Sequence, residues 1–262
     1  MTGDGIRIAA LPVGPAGVRD LWSEVEAVVA RVAADGAALA VLPELTVLPY
    51  VAGDDPARWR HLAEPADGPT PTRMRALARR HGIAVVFGMA LADDPAGLPV
   101  NAAMLAQSDG SLVRLAGKAR LPPPAPGDSW GEADHFRPDP LPPRTARVGG
   151  IRIAALVCYD RRFADRWDRA SMDADLVAVL VAGPAPHDPP GRFREEMAGH
   201  ARRCRVHAVA ASRNGVEQGL GRPVRHDGDS LVLDPEGRVL AASPLDGSAP
   251  AVAAITLSLR TA

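Results

Sequence analysis

The chain has 262 residues, a formal net charge of −1 and 47% hydrophobic residues, which suits one α/β domain spanning residues 1–262. The near-neutral charge gives no electrostatic basis for binding nucleic acid or an anionic membrane. The apolar run 176–185 is too short to span a bilayer, and the N-terminus lacks the regions of a signal peptide. Two cysteines cannot build a disulfide framework, so we expect a cytoplasmic protein with free thiols.

The first half of the chain predicts alternating strands and helices. Residues 6–11 (IRIAAL) form an apolar run typical of a buried strand, and the apolar positions from Val18 to Val32 follow the helical period, with Gly36 ending that helix. Thr70-Pro71 has the pattern of a helix N-cap followed by proline, and Gly82 that of a helix end. Further strands are predicted at 37–42, 83–91, 100–107 and 111–115, with a hairpin turn at 108–110.

The second half begins with a Pro-, Asp- and Gly-rich segment, 121–144, which predicts a long irregular loop. Residues 151–156 then repeat the letters IRIAAL, so this half echoes the strand–helix–strand opening of the first. Helices are predicted at 165–172 and 192–205, and strands at 175–181, 207–212, 230–234, 239–242 and 252–257. Alternation mixed with hairpins favours an α/β sandwich over a purely doubly wound sheet.

Three residues that can carry chemistry stand where predicted strands end. Cys158 precedes a charged segment, and exposed amides at a helix start would favour its reactive thiolate. Glu44 is either an acid/base or an ion-pair partner. Nothing local distinguishes Lys118 from a solvated lysine, and Cys204, on the apolar face of a predicted helix, is interpreted as structural. As a set, Glu44, Lys118 and Cys158 suggest a base, a cation and a nucleophile.

Five motifs, in order, resemble those of the carbon–nitrogen hydrolase (nitrilase) superfamily over nearly the whole chain. They are Leu42-Pro43-Glu44, Gly117-Lys118-Ala119-Arg120-Leu121, Glu132 ahead of Phe136 and Pro138, the segment 157–163 around Cys158, and Gly228-Asp229-Ser230 followed by Asp234-Pro235-Glu236-Gly237. The spacing is 74 residues from Glu44 to Lys118 and 40 from Lys118 to Cys158. The departures from the family pattern are Arg120 for His, Asp139 for Gly, Arg203-Cys204 for Glu-Asn, and Ser212 for Asn.

The resemblance implies a four-layer αββα sandwich that forms a homodimer, or a higher homo-oligomer, by extending its sheets. It also implies hydrolysis of an amide-type C–N bond without a metal or cofactor, through a thioester on Cys158. Glu44 would carry the proton, and Lys118 with the backbone N–H of Tyr159 would stabilise the oxyanion. Glu132 would orient Lys118 or the leaving group, with a loop ion pair as the alternative.

The residues after Cys158 bear on the substrate. Tyr159-Asp160 resembles amidases and carbamoylases, because nitrilases more often carry Trp-Glu there. Arg161-Arg162 resembles the pair with which D-carbamoylases hold a substrate carboxylate, unless only one faces the site and the other makes an ion pair on the helix. His187 lies in a segment, 186–190, similar to a loop of that branch.

We therefore expect a small amide or N-carbamoyl substrate and release of ammonia. Two other functions are compatible with the same residues. One is acyl transfer from the same thioester to an amine, since the shape of the pocket decides whether water or an amine reaches the thioester. The other is a catalytically silent scaffold subunit, against which the intact Glu44, Lys118 and Cys158 count.

Overall fold

Buried apolar runs form two six-stranded sheets at the centre of the molecule. The computed structural model describes residues 5–14, 21–94, 97–182, 188–217, 223–245 and 248–256. Its strands are β1 (Ile6–Ala10), β2 (Leu39–Val41), β3 (Ala84–Leu91), β4 (Val100–Ala106), β5 (Leu112–Gly117), β6 (Ala146–Val148), β7 (Ile151–Val157), β8 (Leu176–Val181), β9 (His207–Ser212), β10 (Asn214–Glu217), β11 (Val224–Asp227), β12 (Leu231–Leu233), β13 (Val239–Ala242) and β14 (Ala251–Ile255).

Each sheet has a parallel centre with antiparallel flanks. The first sheet has the order β14-β1-β2-β3-β4-β5, in which β1, β2 and β3 run parallel. The second has the order β13-β12-β9-β8-β7-β6, in which β7, β8 and β9 run parallel. Strands β3 and β8 are buried at every position, which explains why their sequences read as continuous apolar runs rather than as alternating ones.

The helices cover the outer faces of the two sheets. They are α1 (Leu21–Ala34), α2 (Pro69–His81), α3 (Glu132–His135), α4 (Ala164–Ser171) and α5 (Arg192–Cys204). Helices α1 and α2 pack with the first sheet in one apolar cluster, while α4 and α5 cover the second. The inner faces of both sheets share a further cluster, to which Ile8 and Leu156 belong. The order helix–sheet–sheet–helix confirms the predicted four-layer αββα sandwich.

The prediction of the α2 start was wrong by two residues. Helix α2 begins at Pro69 with Gly68 as its N-cap, so Pro69 rather than Pro71 occupies the first helical position. Thr70 is inside the first turn, where its N–H and hydroxyl each donate to Glu64 at 2.7 Å. Gly82 ends the helix with φ +64, as predicted, because glycine adopts this left-handed conformation without steric cost.

Three elements appear in segments for which the sequence predicted only loops. The four-residue helix α3 lies within 121–144, and the antiparallel pair β10–β11 follows β9. Val18 and Leu257, at the ends of a predicted helix and strand, lie outside the described residues. Within the described ranges, no helix combines the length and apolarity needed to cross a membrane.

Candidate active site

The three residues singled out at strand ends come together between the two sheets. Glu44 follows β2 and Lys118 follows β5 in the first sheet, whereas Cys158 follows β7 in the second. The side chains of Glu44 and Lys118 are 0% exposed, so Lys118 is not a solvated lysine. Glu44 Oε2 accepts a hydrogen bond at 2.9 Å from the N–H of Ala182, directly after β8, and so links the first sheet to the second.

The Glu44 carboxylate receives three hydrogen bonds and keeps room for a fourth. Lys118 Nζ donates to Oε1 at 2.8 Å and Asn101 Nδ2 donates to the same oxygen at 2.6 Å. Oε2 accepts from Ala182 alone among the described hydrogen bonds. A carboxylate has about four acceptor positions, so a lone pair of Oε2 is available for an incoming proton.

Lys118 is shared between two buried carboxylates. Its Nζ lies 2.8 Å from Glu44 Oε1, and 2.7 and 2.6 Å from the two oxygens of Glu132. Glu132 is the first residue of α3 and is itself held at 3.3 Å by the Tyr50 hydroxyl, which donates to Oε1. The structure thus places the second glutamate beside the lysine rather than in a loop ion pair at the surface.

The two carboxyl groups have opposite pKa shifts. Burial alone would raise the pKa of Glu44, but the Lys118 charge and the hydrogen bonds from Lys118, Ala182 and Asn101 outweigh it and lower that pKa. Burial raises the pKa of Glu132 to about 7, with the Glu44 charge adding to the rise and Lys118 only partly opposing it. The pKa of Lys118 is raised well above its ordinary value, because both carboxylates outweigh its desolvation. Divergent pKa values in neighbouring groups are typical of acid/base sites.

Cys158 is a buried thiol in a strained turn. It has φ +43 and opens the short 3₁₀ turn Cys158–Arg162. A non-glycine residue rarely adopts this conformation, and such residues cluster at active sites. Burial, together with the charge of Glu44, raises the pKa of Cys158 to about 12. The expectation that amides at a helix start favour the thiolate is therefore wrong: the turn is short, and desolvation outweighs Lys118 and Arg161.

The residues after Cys158 connect it to its surroundings. Asp160 accepts hydrogen bonds from the backbone N–H groups of Ala119 and Arg120 at 2.9 Å each, so it joins the turn Cys158–Arg162 to the residues that follow Lys118. Tyr159 is half-buried, with its ring edge-on to Phe163 at 5.2 Å between centroids.

Both arginines of the double-arginine pair already have acidic partners. Arg161 donates to the carbonyl of Cys158 at 3.3 Å and lies within 3.9 Å of Asp188 and 3.7 Å of Glu196. Arg162 forms an ion pair with Asp188 and lies 3.7 Å from Glu196. Glu196 also accepts a hydrogen bond from Arg192 Nε at 2.9 Å, so its carboxylate is shared among three arginines. His187, the remaining predicted substrate-binding residue, lies outside the described residues.

The departures from the family pattern make local contacts and leave the central residues in place. Arg120 pairs with Asp165 at 3.1 Å, Asp139 with Arg114, and Arg203 with Asp168. Ser212 donates through its N–H to Ser230 Oγ at 2.9 Å.

Several buried polar residues were missed by the sequence reasoning. Asn101 interrupts the apolar strand β4, and that interruption is the signal that could have pointed to it. Arg213 directly follows the apolar strand β9, in the same way that Glu44 follows β2. Tyr50, Glu217 and His226 carry no comparable signal. In the part of the chain that the structure describes, no group of three His, Cys, Asp or Glu residues is arranged to hold a metal ion.

A comparison with protein families assigns the chain. The model of the family described as carbon-nitrogen hydrolase matches residues 7–262. The chain belongs to the carbon–nitrogen hydrolase family. This membership accounts for the order of the sequence motifs and supports amide-type hydrolysis as the general activity.

Three curated proteins resemble the chain at low identity. A nitrilase of Pyrococcus abyssi is 26% identical over 242 residues, covering 91% of this chain and 84% of that protein. A hydrolase in the pqqF 5′ region of Pseudomonas protegens is 28% identical over 218 residues, covering 81% and 70%. The omega-amidase YafV of Escherichia coli is 32% identical over 92 residues, or 35% of this chain and 34% of that one.

Solved structures of an amidase share the fold. An amidase from Nesterenkonia sp. has a TM-score of 0.80 at 24% identity, covering 97% of this chain and 92% of that one. A mutant of that amidase in complex with butyramide has a TM-score of 0.81 at 23% identity, with the same coverage.

Proposed function

We propose that this carbon–nitrogen hydrolase cleaves a small uncharged amide through a thioester on Cys158 and releases ammonia. The observation that carries the proposal is a single buried lysine shared by two buried carboxylates, next to a buried thiol. Removing three charged side chains from water is costly, and a structural role would be served as well by apolar residues of similar size.

Charge balance supports Glu44 as the base in the first step. With Glu132 ionised, Glu44, Glu132 and Lys118 together carry one net negative charge, and a resting thiolate would add a second among buried side chains. Attack by the Cys158 sulfur on the carbonyl carbon, with its proton passing to the lone pair of Glu44 Oε2, leaves the total charge unchanged. A thiol with a pKa of about 12 thus becomes nucleophilic only as it reacts.

Lys118 stabilises the oxyanion that forms in that step. The C–S bond forms, the carbonyl oxygen gains the electron pair, and the Lys118 ammonium with the N–H of Tyr159 stabilises the new charge. The C–N bond then breaks as protonated Glu44 gives its proton to the departing nitrogen, and ammonia leaves. Glu44 next takes a proton from water, whose oxygen attacks the thioester and releases the carboxylic acid and the Cys158 thiol.

The arginine pair argues for an uncharged acyl group. Two guanidinium groups attract a substrate carboxylate when they are free, but Asp188 and Glu196 both lie within 4 Å of this pair, and Asp188 forms an ion pair with Arg162. An added carboxylate would have to displace one of these partners. The butyramide bound to the amidase of similar fold is also an uncharged short-chain amide.

A release assay tests the proposal. Ammonia is measured from butyramide and related short amides, N-carbamoyl amino acids and nitriles, with Cys158→Ala as the blank. We expect release from uncharged amides and none from the blank. Faster turnover of carboxylated amides or nitriles would contradict the substrate class, and release by Cys158→Ala would contradict the mechanism.

Hydroxylamine separates hydrolysis from acyl transfer. A thioester on Cys158 gives a hydroxamate when hydroxylamine is added. If hydroxamate forms with hydroxylamine, but the free carboxylic acid does not accumulate when no amine is added, the chain is an acyltransferase. A scaffold subunit would form neither product.

A further inference from the structure

A second cluster of buried polar side chains lies behind Glu44 and takes no part in the chemistry above. It consists of Arg213, Glu217 and His226, and we call it the anchor cluster. All three side chains are at most 1% exposed. Arg213 follows β9, Glu217 ends β10 and His226 lies in β11, so three neighbouring segments of the chain contribute one residue each. Burying such groups is costly unless they are paired, and these are paired with one another.

Arg213 holds the backbone that carries Glu44. Its guanidinium donates to the carbonyl of Glu44 at 3.2 and 3.3 Å and to the carbonyls of Leu45 and Leu48. Leu45 has φ +46, a conformation that costs free energy for a branched side chain and must be stabilised by its surroundings. Three carbonyls on one planar group fix this turn in place, and Glu217 holds the other side of Arg213 at 3.3 Å.

His226 holds the other partner of Glu44. Its Nδ1 contacts the carbonyl of Ala182, and its Nε2 lies 2.8 Å from Glu217 Oε2. Ala182 in turn donates its N–H to Glu44 Oε2 at 2.9 Å. The contacts therefore close a ring from the Glu44 backbone through Arg213, Glu217, His226 and Ala182 to the Glu44 carboxylate.

The same cluster reaches Glu132. Glu217 Oε1 accepts from the N–H of Tyr50 at 3.1 Å, and the Tyr50 hydroxyl donates to Glu132 Oε1 at 3.3 Å. The Tyr50 ring also stands edge-on to His226, with 6.4 Å between centroids. Both carboxylates that share Lys118 are thus attached to the anchor cluster.

We propose that Arg213, Glu217 and His226 are positioning residues that hold Glu44 at the distance and angle from which it takes the Cys158 proton. The inference rests on the proposed role of Glu44 as the base. Misplacing a catalytic group by about 1 Å can lower a rate by about a hundredfold, so a cluster that fixes both ends of Glu44 affects turnover without touching the substrate.

The two nitrogens of His226 can be tested separately. The side-chain amide of Asn reaches roughly the position of Nδ1 and that of Gln roughly the position of Nε2. His226→Asn therefore keeps the link to Ala182 and loses Glu217, whereas His226→Gln does the reverse. Since the Ala182 link leads directly to the carboxylate, we expect His226→Gln to lower kcat by about tenfold or more with little change in KM, and His226→Asn to stay within about threefold of the parent.

Alkylation of Cys158 by iodoacetamide gives a readout that needs no knowledge of the substrate. Mass spectrometry follows Cys158 and, as an internal reference, the partly exposed Cys204. We expect Glu44→Gln and His226→Gln both to slow alkylation of Cys158 relative to Cys204. His207→Asn is the matched control, because this buried histidine begins β9 at the end opposite Arg213 and donates its backbone N–H to Asp175. It should lower stability without changing the Cys158 rate.

The outcomes are distinguishable. If Glu44→Gln slows alkylation but His226→Gln does not, and its kcat is that of the parent, the cluster is purely structural and the inference is overturned while the proposed function stands. If Glu44→Gln leaves alkylation unchanged, Glu44 is not the base and both proposals are overturned. Should His226→Gln fail to fold, Glu217→Gln keeps the shape of the side chain but weakens its contact with Arg213, which holds the Glu44 carbonyl, and a loss in kcat at constant KM is expected.

Discussion

Replacing Lys118 by Met removes the only cation that the described contacts place between Glu44 and Glu132. The two carboxylates, whose oxygens lie 2.6 to 2.8 Å from the lysine nitrogen, then remain buried without a counterion. Breaking a buried ion pair by removing one partner typically costs about 3–5 kcal/mol. The side chain of Met fills a volume close to that of Lys, so this loss reports charge rather than a cavity.

The loss depends on pH in a direction that the structure determines. Without Lys118, the pKa values of both carboxyl groups in the folded state lie above the unfolded value. Stability is therefore present below the unfolded pKa and is lost as pH rises. In the parent, Lys118 and its neighbours keep the pKa of Glu44 low, so the variant holds at least one more proton over this range. One extra proton corresponds to about 1.4 kcal/mol per pH unit, or about 4 kcal/mol from pH 5 to pH 8.

Urea unfolding of the parent and of Lys118→Met at pH 5 and pH 8 measures this difference. We expect similar midpoints at pH 5 and a strongly destabilised variant at pH 8. Adding Glu132→Gln to Lys118→Met removes one of the unpaired carboxylates and should recover about half of the loss. A destabilisation that is equal at both pH values would refute the reasoning, because it would show that Lys118 acts through packing.

Four further expectations follow from the site. The kcat/KM of the parent should rise through pH 7 as Glu132 ionises and strengthens Glu44 as a base, and Glu132→Gln should flatten that rise in a pH profile from 5.5 to 8.5. Gly88→Ala should cost about 1–3 kcal/mol in urea unfolding, because its Cβ would lie 2.4 Å from the Leu45 nitrogen. In contrast, Gly199→Ala, in α5 with nothing within 4 Å, should stabilise by about 0.5–1 kcal/mol. Arg162→Ala should leave KM for butyramide within about twofold, and a large rise in that KM would show that Arg162 contacts an uncharged substrate.

Much of the fold was predictable because its signals are local. The continuous apolar runs of β3 and β8 require burial on both faces, which a parallel strand inside a sandwich provides. The start of α2 was less predictable. Threonine is a residue type that favours the N-cap position, but the N–H and hydroxyl of Thr70 donate to Glu64, six positions earlier. A contact of that kind depends on the path of the intervening loop, which no local pattern encodes.

The candidate site, like the fold, was predictable where its signals are local and not where they depend on tertiary contacts. Glu44, Lys118 and Cys158 were predictable as a set because each follows a strand, and the family motifs surround them. Their electrostatics were not predictable. The thiolate expected of Cys158 depends on exposure, and burial raises its pKa to about 12 instead. His226 was missed for a similar reason, since a lone histidine in a short strand shows its role only when Ala182 and Glu217 are seen on its two sides.

Under the proposed function, burial of Cys158 and burial of Glu44 have one common consequence. Desolvation disfavours the charged thiolate, so Cys158 would stay protonated until a carbonyl carbon is within reach and Lys118 can stabilise the oxyanion. The proton then needs an acceptor that is already ionised and already aligned with the Cys158 sulfur. Glu44 meets the first condition through Lys118, Asn101 and Ala182, which keep its pKa low. It meets the second only if its backbone and its carboxylate are both held, which is the role that we propose for Arg213, Glu217 and His226.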